Sequence, residues 1–307
     1  MRIVFAGTPE AAVPSLEALV ASRHEVAAVI TRPDAAAGRG RTVQPSPVSV
    51  AAQAHGIEIL TPATPSDPDF VARLREIEPA CIPIVAYGAL IRREALDIPE
   101  FGWINLHFSV LPSWRGAAPV QRAIMAGDEI TGATVFSLVE ALDAGPVLGS
   151  ITERIQADDT AATLLDRLAD FGSRLLTDVV DHIEDGDVSA IPQPEDNISY
   201  AHKLSTEDGR VDWNRPAFAI DRHIRGCTPA PGAWTTLDGD RVKIGPPTIA
   251  EDATLEIGQV EIGKREVRVG TTTTDLVLGD VQAVGKKQMA AADWGRGLGG
   301  ATEVTFA

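Results

Sequence analysis

Apolar runs and helix-periodic stretches take turns through the first 110 residues, and this alternation limits the fold more than any other feature of the chain. Arg2–Ala6 is a short apolar run ending at Gly7. Pro9–Ala21 then carries apolar residues at helical spacing, with Pro14 near its start. His24–Thr31 reads as a second strand, 45–55 as a helix, Ile57–Leu60 as a strand and Asp67–Ile77 as a helix. Cys81–Ala86 and Gly102–His107 are two further buried runs. Alternation at this pace predicts an α/β fold, a Rossmann-like and mostly parallel sheet with helices on both faces. In such sheets the working residues gather where strands end at their carboxyl edge. Gly7-Thr8-Pro9, Tyr87-Gly88 and Asn105–His107 all stand at such ends. One local conflict is Pro83, which lacks the N–H a central strand needs, so this strand is expected to begin only after it.

Near residue 190 the texture changes. IPQPEDNISYAHKLSTEDGR is polar and proline-bearing, with no helical stripe, and reads as a linker. Beyond it, one helical segment (Ala217–Arg225) precedes short strand-like stretches: Ala233–Leu237, Arg241–Ile244, Gly258–Ile262, Glu266–Val269 and Asp275–Leu278. Short strands broken by Gly and Pro predict a small C-terminal β-barrel, with Thr271–Thr274 as a turn or edge. The expected division is therefore a catalytic domain over 1–188, a linker over 189–207 and an OB-like barrel domain over 208–307.

Hydrophobic residues make up 44% of the chain but aromatics only 5%, so the cores must be aliphatic. With 27 Lys and Arg against 43 Asp and Glu, the formal charge of −16 repels polyanions at long range. A nucleic-acid partner then requires a local basic patch. Cys81 and Cys227 are too few for a disulfide framework or a thiolate metal site, and free thiols are expected. No basic-then-apolar leader opens the sequence and no run of about 18 apolar residues occurs. The expectation is a cytoplasmic protein with no membrane segment and no metal.

Four segments can carry chemistry. In INLHFSVLPSWRGAAP, period-2 alternation puts Asn105 and His107 on one face of a strand. An amide there can hold an oxyanion, and an imidazole can move a proton near neutral pH. Alone, an Asn-x-His pair is more commonly a capped strand end with a satisfied histidine. Asp143, in LDAGPV, closes an apolar strand beside a tight Gly-Pro turn. It is either a turn former or the acid that orients the histidine. Thr31–Arg41 holds three arginines in an otherwise acidic chain, on a connection longer than a strand-to-helix step needs. It is either a solvated loop or a basic finger for phosphates. Gly7-Thr8-Pro9 lacks the glycine spacing of a dinucleotide site, which counts against a nicotinamide dehydrogenase.

Taken in order, FAGTPEAAVPSLEAL, TRPDAAAGRGR with PSPV, VAYGALI, INLHFSVLPSWRGAAPVQRAI, LDAGPVL, KLSTEDGRVDW, RGCTPAPGAW and GKKQM resemble the folate-dependent formyltransferases over nearly the whole chain. The departures are Pro83, Val110 and Cys227-Thr228, none of them at the chemistry. The resemblance implies Asn105, His107 and Asp143 as the catalytic trio. It implies a folate pocket formed by Tyr87, Gly88, Ala89 and Leu90 with the turn Ser109, Val110, Leu111 and Pro112. The donor is then 10-formyltetrahydrofolate. The arginine-rich loop and the second domain imply an acceptor amine on initiator methionyl-tRNA, with Arg39 and Arg41 near its acceptor end and a basic face on the barrel. A monomer is expected, with protonated His107 and Asn105 stabilising an oxyanion and Asp143 holding the imidazole. The alternatives are a small acceptor such as an amino-sugar nucleotide, hydrolysis of the formyl donor, and a tRNA-binding module with a decayed site.

Overall fold

A computed structural model describes residues 1–37, 42–298 and 303–307. The chain divides into two compact units. The first comprises Met1–Gly116, Ile130–Arg154 and Leu165–Tyr200; the second comprises Ala117–Glu129, Ile155–Leu164 and Ala201–Ala307.

The elements through residue 126 are β1 (Arg2–Gly7), α1 (Val13–Val20), β2 (Glu25–Ile30), β3 (Ala35–Ala37), β4 (Thr42–Gln44), α2 (Pro47–Ala54), β5 (Glu58–Leu60), α3 (Pro68–Ile77), β6 (Ile82–Val85), α4 (Arg93–Leu96), β7 (Trp103–His107), β8 (Arg115–Gly116) and α5 (Pro119–Ala126). Then come β9 (Ile130–Ser137), β10 (Val147–Arg154), α6 (Ala161–Asp185) and β11 (Tyr200–Ala201). The central sheet runs β10-β9-β7-β6-β1-β2-β5. Its strands from β7 to β5 are parallel, and β9 and β10 close the other edge antiparallel. Local chemistry sets the helix starts. The Ser46 hydroxyl caps α2 by accepting the Ser49 N–H at 3.0 Å, and the Asp67 carboxylate caps α3 by accepting the Asp69 N–H at 2.9 Å. In each helix a proline follows at the first position, where no N–H is needed. One side of the sheet packs Val4, Ala6, Ile30, Ile82, Ile84 and Trp103 against Phe70, Val71, Leu74 and Ile77 of α3. On the other side, a Cβ on Gly172 of α6 would lie 2.9 Å from Leu106 of β7. A larger residue there would have to displace the end of the buried Leu106 side chain.

Two expectations are corrected here. Pro83 lies inside β6, paired with Ile104, and the strand starts before it at Ile82. The Ile82 N–H donates to Gly102 O on the β7 side, so by alternation the missing Pro83 donor falls on the β1 side. There the pairing skips this level, from an Ile3–Cys81 bridge to Ala6–Ile84. The connection after β2 is also more than a loop, because its flanks, β3 and β4, pair antiparallel from Ala35–Gln44 to Ala37–Thr42. Arg39 and Arg41, between these strands in sequence, lie outside the described residues.

The second unit contains α7 (Ala217–Gly226), β12 (Trp234–Leu237), β13 (Asp240–Ile244), β14 (Thr248–Ile249), β15 (Gln259–Ile262), β16 (Val267–Val269), β17 (Leu276–Val277), β18 (Asp280–Ala283), β19 (Met289–Ala290), α8 (Ala291–Arg296) and β20 (Glu303–Thr305). Two antiparallel sheets, β12-β13-β18-β19 and β14-β17-β16-β15-β20, share one core in which Trp213 stacks on Phe306. Thr271–Thr274 is a turn closed by the Thr271 hydroxyl donating to Thr274 O at 2.6 Å. Two arginines of this unit, which a basic face would need to expose, are used internally. Arg225 pairs with Asp221 and donates to Asp159 O, and Arg268 pairs with Asp252 and Asp275. Arg241 instead lies over the Trp234 ring, 3.7 Å from its centroid. No described helix is long and apolar enough to cross a membrane.

Candidate active site

The carboxyl ends of β1, β2, β6 and β7 lie on one edge of the first unit's sheet, and one hydroxyl ties three of them. Thr8, after β1, donates to Tyr87 O beyond β6 at 2.9 Å and accepts from the Arg32 N–H beyond β2 at 3.4 Å. Tyr87 is buried, and the Arg32 side chain lies beside its hydroxyl. Burial pushes its pKa up, and Arg32 opposes this. Gly88 adopts φ 84°, a left-handed turn that suits glycine, and is exposed; Ala89 after it is half-buried and Leu90 exposed.

On β7, Asn105 and His107 share a face and sit opposite Phe136 and Thr134 of β9. Asn105 is half-buried, and its amide bonds to no other described side chain. His107 is buried, with its ring edge-on to Phe136. Beyond the strand the chain is pinned from below. Thr134 donates its hydroxyl to Ser109 O at 2.7 Å and accepts the Leu111 N–H at 3.2 Å. The buried Ser109 hydroxyl donates to Ser113 O at 2.5 Å, which fixes the turn through Val110, Leu111 and Pro112.

The turn brings Trp114 back over His107. The His107 Nε2 lies 2.8 Å from Trp114 O. A carbonyl only accepts, so Nε2 carries the ring proton and Nδ1 keeps its lone pair. Nδ1 faces Asp143 Oδ2 at 3.8 Å, too far for a hydrogen bond. The Asp143 carboxylate instead accepts the Gly116 N–H at 2.7 Å. Burial pushes the His107 pKa below 6.5, and the Asp143 charge and the Trp114 carbonyl only partly counter it. The resting imidazole is therefore neutral at pH 7. Desolvation thus works against the expected protonated His107 in the resting site, where the carboxylate stands one step beyond hydrogen-bond reach.

Sequence reasoning missed two contributors. Gln193 and Ser199, on a stretch that reads as linker, hold the Asp143 and Trp114 backbones. It also missed a cluster at the opposite, amino edge of the sheet. There His24, Asp181 and Glu184 converge, with ligand atoms within 4.8 Å of one another, as a cation site would require. Arg23 Nε already supplies positive charge there, 2.5 Å from Asp181 and 3.2 Å from Glu184.

A half-buried amide, a buried imidazole and a carboxylate, set beside a pinned turn, are side chains of the kinds that acyl or formyl transfer to an amine can use. The chain belongs to the formyl transferase family. Residues 1–180 match its N-terminal model and 203–299 match that of the formyl transferase C-terminal domain. It is 57% identical over 300 residues to a protein of a Nocardioides species named methionyl-tRNA formyltransferase, covering 97% of this chain and 95% of that one. It is 58% identical over 299 residues to the protein of that name from Saccharopolyspora erythraea, covering 97% of each. Among solved structures, an N-formyltransferase from Helicobacter canadensis in complex with folinic acid and dTDP-3-aminofucose has the same fold. There the TM-score is 0.70 at 16% identity, covering 92% of this chain and 98% of that one.

Proposed function

We propose that this chain transfers a formyl group from 10-formyltetrahydrofolate to the α-amine of methionyl-initiator-tRNA, giving N-formylmethionyl-tRNA for translation initiation. The observation that carries the chemistry is the pairing, on one strand face, of an uncommitted Asn105 amide with a neutral His107 backed by Asp143. The buried Tyr87 hydroxyl, with Arg32 beside it, and the turn Ser109–Pro112 fit a folate with polar edges. That group supplies the formyl carbon and, at N10, the leaving nitrogen. Asn105 donates a hydrogen bond to the oxygen that becomes anionic, an interaction whose loss costs about 3–4 kcal/mol of barrier. His107 accepts the proton from the attacking amine at Nδ1, and Asp143 stabilises the imidazolium so formed. His107 then returns this proton to the departing nitrogen. No covalent enzyme intermediate is required, because a neutral amine is already a nucleophile.

The tRNA preference rests on the relatives at 57–58% identity. In this reading Arg39 and Arg41 approach the acceptor end, residues 208–307 form the tRNA-binding domain, and the protein acts as a cytoplasmic monomer. The test offers 10-formyltetrahydrofolate with initiator methionyl-tRNA, an elongator methionyl-tRNA, an amino-sugar nucleotide, or water alone. Formylation of the initiator species at least a hundredfold faster than of the others is expected. Preferential transfer to the sugar amine, or release of formate alone, would overturn the reading.

A further inference from the structure

His107 touches two residues of left-handed backbone, and each of them is held from outside. Trp114, whose carbonyl accepts from Nε2, has φ 61°, and Asp143, whose carboxylate faces Nδ1, has φ 46°. Neither is glycine, so each conformation is strained and persists only where the surroundings hold it in place. Those surroundings are the segment 191–200. It runs along the first unit through a two-way backbone bridge between Ile191 and Val147 (2.7 and 2.8 Å) and the pairing of β11 with β8. Eight of its ten residues are exposed, and the two half-buried ones are Gln193 and Ser199. Ser199 Oγ accepts the Trp114 N–H at 2.8 Å. Gln193 Nε2 donates to Asp143 O and to Gly145 O, both at 2.8 Å.

The orientation of the Gln193 amide is fixed by chemistry. Arg115 directs Nε and Nη2 at its Oε1, at 3.1 and 2.6 Å, and a guanidinium has only donors, so the NH2 group must face the carbonyls. Arg115 itself is buried, and no carboxylate pairs with it among the described residues. A buried cation satisfied by a neutral amide is a costly arrangement.

We propose that Gln193 is a positioning residue for the formyl transfer. Locked by Arg115, it holds the strained Asp143 backbone so that the carboxylate faces His107 Nδ1, while Ser199 sets the opposite contact of the same ring. The proposal rests on the reading of Asp143 and His107 as catalytic. A readout beyond rate follows from the charges. Asp143 raises the His107 pKa against burial, so letting the carboxylate drift lowers that pKa further. The acid limb of the pH–rate profile, where His107 protonates and activity falls, then moves to lower pH.

The experiment is single-turnover formylation of initiator methionyl-tRNA across pH 5–8 by the full-length protein carrying Gln193→Leu, Gln193→Glu or Asp143→Asn. Gln193→Glu keeps the acceptor for Arg115 and loses the amide donors, but adds a charge, so it reports on rate alone and the acid limb is read on the neutral leucine variant. The expected result is a rate at least 30-fold lower for both Gln193 variants, KM for both substrates within threefold of wild type, and an acid limb shifted downward for Gln193→Leu. A wild-type rate for Gln193→Glu, or a folded Gln193→Leu protein that is slower with an unmoved acid limb, overturns the proposal. If Asp143→Asn is slow while the Gln193 variants are not, only the positioning role fails. If Asp143→Asn keeps the wild-type rate, the reading of the site fails with it.

Discussion

Replacing Asp143 by Asn removes one charge and almost no volume, so its effect isolates the electrostatic support of His107. In the resting site the imidazole is neutral and the carboxylate 3.8 Å away has little to stabilise. When Nδ1 takes the amine proton, an ion pair forms at that separation. At an effective dielectric of about 20, such a pair gains about 4 kcal/mol. A full loss of this energy is worth roughly a thousandfold in rate. Because the proton is only partly transferred at the transition state, a fall of roughly 100- to 1000-fold is expected. The amide oxygen of the substituted side chain can still accept the Gly116 N–H, so the turn survives and substrate KM values stay within threefold. Rapid-quench formylation at saturating substrates measures the chemical step directly. A rate within fivefold of wild type would refute the claim that the imidazole becomes charged beside this carboxylate.

Thr134→Val keeps the side-chain shape but orphans Ser109 O and the Leu111 N–H, at a cost of about 1–3 kcal/mol. Calorimetry should show a melting point lower by roughly 5 °C, and kinetics a raised KM for the folate donor with a smaller change in kcat. The pH dependence of stability follows from three histidines, His24, His107 and His223, each held below 6.5 chiefly by burial. At high pH they are neutral both folded and unfolded. As pH falls below 6.5 the unfolded chain binds protons that the folded one refuses, and stability is lost progressively as pH drops through the lower folded values. Urea midpoints measured from pH 7.5 to 5.5 should decline, and His107→Gln should flatten part of that slope.

The parallel strands were legible because burial on both faces demands unbroken apolar runs such as IVFAG and VAAVI. The shared face of Asn105 and His107 followed from strand alternation alone. The protonation state of His107 did not, because it depends on how deeply the ring is buried and on whether Asp143 stands within or beyond hydrogen-bond reach, and neither is a property of local sequence. Pro83 looked like a strand breaker because the sequence does not show which neighbour its missing donor faces. Gln193 and Ser199 were invisible for a third reason. Their segment has the composition of a linker, and their partners, Asp143 and Trp114, lie 50 and 85 residues away. Short strands such as β18 and β19 carry too few residues for a period to register.

Asn105→Ala tests the central claim most directly, because this amide is committed to nothing else among the described residues and its removal leaves no buried partner behind. Single-turnover formylation of initiator methionyl-tRNA should slow at least a hundredfold, in line with the loss of one oxyanion donor, while the Kd for tRNA, measured in parallel, stays within twofold. A variant that formylates at the wild-type rate would contradict the account, and would place the oxyanion donor elsewhere than on this strand.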